Sequence, residues 1–182
     1  MMPKFQSRGF TVMCALALLV CGCSKKANQA VQNDEGEPAA NAPLVSSLKM
    51  SAPSAKKQLT KGVYQLESGA WRWTAGNFTI TLATPPGAAQ KGATLTLNLV
   101  ASDAVLQQVH SQSLTAAVGS QTLKTEKYVD PGPHAFTADV PASLLSGDTV
   151  AIDFSLDNSL PPSSSDRREL GVIITAASLD SN

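Results

Sequence analysis

Residues 77–83, NFTITLA, alternate apolar and polar side chains, so that Phe, Ile and Leu occupy every second position. The same period of two occurs at residues 94–99, TLTLNL, and at residues 149–156, TVAIDFSL. Neighbouring side chains of a β-strand point to opposite faces, so this pattern predicts strands with one buried face and one wet face. The three stretches together predict an all-β fold.

Further strands are predicted on both sides of these three stretches, at residues 63–67, 71–75, 114–118, 121–128 and 134–140. Residues 170–179 are apolar on both sides, which predicts a central, well-covered strand. Residues 118–121, VGSQ, predict a tight hairpin, and residues 104–111 are predicted to be a loop or an irregular strand. Eight or nine strands predict a two-sheet β-sandwich, for which we favour a jelly-roll-like order over an immunoglobulin-like one.

The N-terminus has the features of an export signal. Lys4 and Arg8 precede an apolar run at residues 10–20, which is too short to span a bilayer as a helix. The next residues, 20–23 (VCGC), resemble the lipobox of bacterial lipoproteins, which implies cleavage after residue 22 and acylation of Cys23. Ser24 then favours sorting to the outer membrane of a two-membrane cell. The alternative is an ordinary secretory signal that releases the protein.

Residues 23–61 are rich in Ala, Ser, Asn, Gln, Lys and Pro and contain no aromatic residue. Such a composition buries too little apolar surface to offset the entropy of ordering the chain. We therefore predict an acylated cysteine followed by a disordered linker, with a reach of roughly 35 Å. The division is then a signal peptide at 1–22, the linker at 23–61 and a β-sandwich at 62–182.

Charge and cysteine content exclude several functions for residues 62–182. This part has six Lys and Arg residues and eleven Asp and Glu residues, a net charge of −5, which argues against nucleic-acid binding. All three cysteines fall within residues 14–23, so the sandwich has no cysteine nucleophile or cysteine metal ligand. His110 and His134 lie in no catalytic or metal-binding motif, so we predict no enzyme activity and no cofactor.

Three short stretches resemble a pattern found in β-sandwich modules that accompany bacterial surface-polysaccharide enzymes and glycosyltransferases. They are residues 62–67 (GVYQLE), 72–74 (RWT) and 166–172 (DRRELGV). Those modules are similar to galactose-binding-type jelly rolls and carbohydrate-binding modules. The resemblance implies a jelly roll and carbohydrate binding.

Aromatic residues are the first candidates for a sugar site. Trp71 and Trp73 are predicted to share one face of a strand, and Tyr64 lies on the strand before. An exposed indole can stack on the apolar face of a sugar ring and still donate a hydrogen bond. The alternative is that one or both tryptophans fill the core, and this alternative is stronger for Trp73.

Charged residues supply the remaining candidates. Arg167 and Arg168 lie in the cluster at residues 166–169. There an arginine either clamps the loop to Glu67 or another acid on a neighbouring strand, or bonds to a sugar hydroxyl or carboxylate. Asp153 lies on a predicted wet face. The carboxylates of Asp139, Asp148, Asp153 and Asp157 suit calcium chemically, but no DxDxDG-type loop is present, and we predict no metal.

The sequence therefore predicts a membrane-anchored envelope lipoprotein that binds carbohydrate without catalysis. The predicted site is Tyr64, Trp71, Asp153, Arg167 and Arg168. The alternative is an assembly lipoprotein that docks an envelope protein instead of a polysaccharide.

Overall fold

Nine β-strands make up most of residues 43–182, which is the part of the chain that the computed structural model describes. They are β1 (Ser47–Lys49), β2 (Leu59–Glu67), β3 (Trp71–Ala83), β4 (Ala93–Ala101), β5 (Gln112–Val118), β6 (Gln121–Tyr128), β7 (Gly132–Val140), β8 (Thr149–Leu156) and β9 (Ile173–Ser181). Two short helices, α1 (Ala88–Lys91) and α2 (Asp103–Val109), and two 3-10 turns connect them. The prediction of an all-β fold is confirmed.

The strand order is that of a jelly roll. One sheet has the order β3-β8-β5-β6 and the other β1-β9-β4-β7, with every pairing antiparallel. When β1 and β3 to β9 are counted as strands one to eight, these orders become 2-7-4-5 and 1-8-3-6, which describe two Greek keys. Strand β3 joins the sheets, because its second half pairs with β8 and its first half with β9. Strand β2 extends the first sheet along the other edge of β3.

The core lies between the two sheets and contains the side chains that the period-two pattern places inside. Phe78, Ile80 and Leu82 are fully buried. The Phe78 ring stacks on Phe154 with centroids 4.8 Å apart, and Phe136 meets Phe154 edge-on at 6.3 Å. The three rings therefore link strands of both sheets, which fixes how the sheets pack.

The folded domain begins earlier than the sequence predicts. Leu48, Met50 and Ala55 are buried in the same core, and β1 pairs with β9. The buried Gln58 side chain accepts a hydrogen bond from the Val45 amide and donates to the Val45 and Thr81 carbonyls. Residues 43–61 therefore belong to the sandwich, and the predicted disordered linker up to residue 61 is wrong for this stretch. A three-residue strand is too short to show a period, so composition alone misassigns it.

Several other predicted elements can be compared directly. The predicted strands at 71–75 and 77–83 are one continuous strand, β3. Residues 104–111 are largely helical, within α2, rather than a loop or irregular strand. The central position of β9, between β4 on one side and β1 and β3 on the other, is confirmed. The hairpin at 118–121 is also confirmed, with Gly119 at a φ of 58°.

The predicted signal peptide, the acylated Cys23 and residues 24–42 of the linker lie outside the described residues. Within residues 43–182 no helix is both long and apolar enough to cross a bilayer.

Candidate functional site

Arg168 is the centre of a bonded cluster between the loop before β9 and strand β2. Its Nη1 donates to Glu67 Oε1 at 2.6 Å, while Nε and Nη2 donate to the two oxygens of Asp166 at 3.0 and 2.9 Å. Its guanidinium also lies 5.4 Å from the Tyr64 ring centroid. The prediction that an arginine clamps this loop to Glu67 is therefore confirmed.

Electrostatics agree with this geometry. Hydrogen bonds from the Arg168 side chain, and then from its backbone amide, lower the pKa of the Asp166 carboxyl. Hydrogen bonds to Asp166, and then to Glu67, raise the pKa of Arg168. Both shifts favour the charged forms, so the cluster stays an ion-paired network at neutral pH. The carboxylates already occupy the Nε, Nη1 and Nη2 groups of Arg168, so Arg168 positions its neighbours more than it offers itself to a ligand.

The three motif stretches of the sequence meet at this end of the sandwich. The Thr74 backbone and side chain exchange hydrogen bonds with the backbone of Val172. A Cβ on Gly171 would lie 2.6 Å from the Ala75 carbonyl oxygen, so the loop approaches β3 too closely for any larger residue. The motif therefore has a structural role here, since its parts hold the loop before β9 against β3.

Arg72 is a buried residue whose importance the sequence does not reveal. It is 3% exposed, and its Nε and Nη1 donate to the carbonyls of Met50 and Tyr64. One charged side chain thus ties the N-terminal segment and β2 to β3. Two features of the sequence bear on it: the alternation, which places Arg72 on the face opposite Trp71 and Trp73, and its position in the motif at residues 72–74.

Trp71 and Trp73 lie side by side on the outer face of β3, as their spacing predicts. Their rings meet edge to face, with centroids 6.3 Å apart. Both are half-buried, and neither belongs to the core or to the partly buried side chains that pack against it. The alternative that Trp73 fills the core is therefore wrong. Arg72 and Thr74 take the inward positions on this part of β3.

Three of the five predicted site residues are brought together. Glu67 lies directly opposite Trp71 in the β2–β3 register, and Arg168 joins Glu67 to Tyr64. Arg167 lies between Asp166 and Arg168 on the same loop, and its side chain is exposed. We call Trp71, Trp73, Tyr64, Glu67 and Arg168 the aromatic cluster.

Asp153 is not part of the aromatic cluster. It accepts a 2.6 Å hydrogen bond from the Thr79 hydroxyl, on the outer face of the other half of β3. There it lines a shallow groove of about 250 Å³ with Lys61, Asn77 and Ser155. The predicted site is therefore divided between two places, because period-two reasoning gives the face of a residue but not its distance from others.

The described residues contain no group of three His, Cys, Asp or Glu side chains that could hold a metal ion. Asp157 is held by the Ser113 backbone amide at 2.6 Å. Burial acts to raise the pKa of Asp157, but hydrogen bonds with Ser113 outweigh it and lower that pKa. His134 contacts the Asp130 carbonyl oxygen at 3.0 Å, and its ring lies against Tyr128. These contacts give both residues a structural role.

Comparison with known proteins gives no family. No family model and no curated protein matches the chain. One similar solved structure is that of a family GH115 4-O-methyl-α-glucuronidase with specificity for decorated arabinogalactans. Its sequence identity to this chain is 9%, and the TM-score is 0.44. That match covers 79% of this chain and only 18% of the enzyme. Another is a CBM4 structure, at 11% identity and a TM-score of 0.34, covering 69% of this chain and 80% of the other. At these values neither similarity assigns a ligand or a residue role to this chain.

Proposed function

We propose that this protein binds carbohydrate without catalysis, through Trp71 and Trp73. The observation that carries the proposal is the position of the two indoles, side by side on an outer face and outside the core. The exposed part of this aromatic surface is available for a ligand, because it is not used to pack the core. Sugars suit it, because their C–H faces stack on indoles while their hydroxyls reach polar neighbours.

Charged groups beside the tryptophans support binding rather than reaction. Glu67 and Asp166 are both bonded to Arg168, and the pKa of Asp166 is lowered. A general acid for glycoside hydrolysis needs the opposite shift. Arg167, which is exposed on the same loop, is the residue we assign to hydrogen bonds with sugar hydroxyls.

Binding of the purified protein to immobilised polysaccharides tests the proposal. We expect retention by at least one polysaccharide, and a loss of about tenfold or more in affinity for Trp71→Ala and for Trp73→Ala. Val129→Ala is the matched control, because Val129 is a 57% exposed apolar residue away from the aromatic cluster. Equal binding by all variants, or no binding by the folded wild type to any polysaccharide, would contradict the proposal.

We also propose that Cys23 carries a lipid anchor that holds the protein at the envelope, in the outer membrane when the cell has two membranes. With the sandwich starting at residue 43, nineteen residues separate it from Cys23. A flexible chain of that length would reach about 25 Å, enough to lift the domain off the bilayer surface. Metabolic labelling with palmitate tests this, since Cys23→Ser should abolish labelling and leave the precursor uncleaved.

Docking of an envelope protein is the second candidate function. The end strands β6 and β7 each pair with only one other strand among those described, and they lie beside one another. A strand edge that lacks a second partner can pair with an incoming strand. An envelope crosslinking experiment that recovers one protein in fixed stoichiometry, unaffected by added sugars, would favour this function.

A further inference from the structure

The outer face of the sheet β1-β9-β4-β7 is a flat floor of small side chains. Cross-strand register places Asn98 between Ala176 and Ala135, and Thr96 between Ser178 and Thr137. All six are exposed or half-buried, and none is larger than asparagine. Such a floor offers hydroxyl and amide groups at close spacing without obstructing a flat ligand. We refer to these six residues as the floor.

An apolar row bounds one end of the floor. Trp73 lies opposite Ile173, Ile173 opposite Val100, and Val100 opposite Pro133. None of the four belongs to the buried core or to the partly buried side chains that pack against it. The row crosses four strands and so extends about 14 Å, which makes the tryptophans the start of a longer apolar border.

A groove bounds the other end. It has a volume of about 350 Å³ and is lined by Thr94, Thr137 and Asp139 together with Leu123 and Lys124 of β6. Thr137 belongs to both the floor and the groove, so the two are continuous. From Val100 to Thr94 the strand advances six residues, or about 20 Å.

Charge indicates what kind of chain the floor suits. The floor residues themselves are uncharged, with Lys49 beside them on β1 and Asp139 and Asp180 at the groove end. Residues 43–182 as a whole contain ten Lys and Arg residues and eleven Asp and Glu residues, for a net charge of −1. Neither the floor nor the domain carries enough charge of one sign to create an electrostatic potential that would attract a charged polymer.

We propose, resting on the proposed function, that the ligand is an internal stretch of a neutral polysaccharide that lies on the floor. Its sugar rings stack on the Trp73 row, and its hydroxyls bond to Asn98, Thr96 and Thr137 on the way to the groove. A flat surface about 20 Å long suits several linked sugars in the middle of a chain. The end of a chain would need an enclosing pocket instead.

Placing a long side chain on the floor tests the proposal. Ala135→Arg adds a long side chain at an exposed floor position on β7, directly opposite Asn98. Ala151→Arg adds the same side chain at an exposed position of β8, on the other sheet. Affinity electrophoresis in gels containing soluble xylan, mannan or mixed-linkage β-glucan measures binding. We expect Ala135→Arg to lower affinity for the retained polysaccharide by about tenfold or more, and Ala151→Arg to leave it unchanged.

The outcomes separate this inference from the function it rests on. If binding depends on Trp71 and Trp73 while both arginine variants bind like wild type, the proposed function stands and the floor is excluded. If wild type is retained by none of the gels, both fail. Should Ala135→Arg not fold, judged by its Tm, the variant pair Thr96→Ala and Asn98→Ala provides the same test.

Ligand length gives a second measurement. Calorimetry with oligosaccharides from the retained polysaccharide, from disaccharide to hexasaccharide, should show affinity that rises with length until the floor is covered. Affinity that is already complete with the disaccharide would indicate a chain-end site and overturn the inference.

Discussion

The two halves of β3 alternate with the same period but with opposite polarity. From Phe78 to Leu82 the inward side chains are apolar and the outward ones are threonines. In the first half, Arg72 and Thr74 point inward and two tryptophans point outward. The comparison teaches that a period of two identifies a strand, whereas the side that is buried depends on what else is available to fill the interior.

The largest expected loss of stability is in the second half of β3, where apolar side chains point inward. Phe78 is 1% exposed and stacks on Phe154. Phe78→Ala should lower the free energy of unfolding by about 3–5 kcal/mol, since a buried ring is lost and a cavity remains. Urea denaturation measures it, with the neighbouring outward Thr79→Ala as control. A loss below about 1 kcal/mol would mean that this half does not carry the core.

Arg72→Met removes a buried side chain from the first half of β3, where polar residues point inward. We expect a loss of about 2–3 kcal/mol, because the buried carbonyls of Met50 and Tyr64 lose their donor. Faster proteolytic cleavage within residues 43–58 should accompany it, since Arg72 holds that segment. The exposed Lys61→Met is the control. An Arg72→Met protein as stable and protease-resistant as wild type would show that this polar interior is dispensable.

Trp73→Ala should lower the free energy of unfolding by about 1–2 kcal/mol, less than Phe78→Ala despite the larger side chain. Trp73 is partly exposed and lies outside the core, so its loss leaves no enclosed cavity. The comparison with Phe78→Ala in the same denaturation series is the test. A loss as large as that of Phe78→Ala would place the indole in the structural core and remove the main argument for a ligand site.

The smallest expected effect concerns the Glu67–Arg168 ion pair, whose side chains are about one-third exposed. A double-mutant cycle of Glu67→Ala and Arg168→Ala should give a coupling of about 0.5–1 kcal/mol. Since bonding to Arg168 lowers the pKa of Asp166, the Asp166 contribution is present above the ordinary carboxyl pKa and is lost as pH falls below about 4. Coupling that is absent at neutral pH would contradict the clamp.

Period-two reasoning succeeds wherever an apolar face meets the core. Its order of apolar and polar positions matches the buried and exposed sides of β4 and β8. It fails at β1, where three residues cannot show a period, and at residues 104–111, where α2 is only seven residues long. The conformation of such short elements depends on their contacts with the rest of the sandwich more than on their own sequence pattern.

The site was predictable in part. The face shared by Trp71 and Trp73 follows from local spacing. The charge cluster at residues 166–169 predicts an arginine clamp, but which arginine and which acid form it depends on the fold. The separation of Asp153 from the tryptophans does not follow from local spacing, because it depends on which strands are neighbours. The floor was not predictable either, since threonines and alanines on a wet face look the same in sequence whether or not a ligand lies on them.

The early start of the fold has a mechanical consequence. Any pull that reaches the domain along its N-terminal chain meets residues 45–50 first, where the Val45 and Ser46 carbonyls bond to Ala83 and Leu179 and the Met50 amide bonds to Thr175. These few hydrogen bonds, together with those between Gln58 and Val45, bear the applied force before it reaches β3 or β9. If the protein is anchored and binds a ligand as proposed, a pull on the ligand should therefore open this segment first and expose Leu48 and Met50 before the rest of the sandwich.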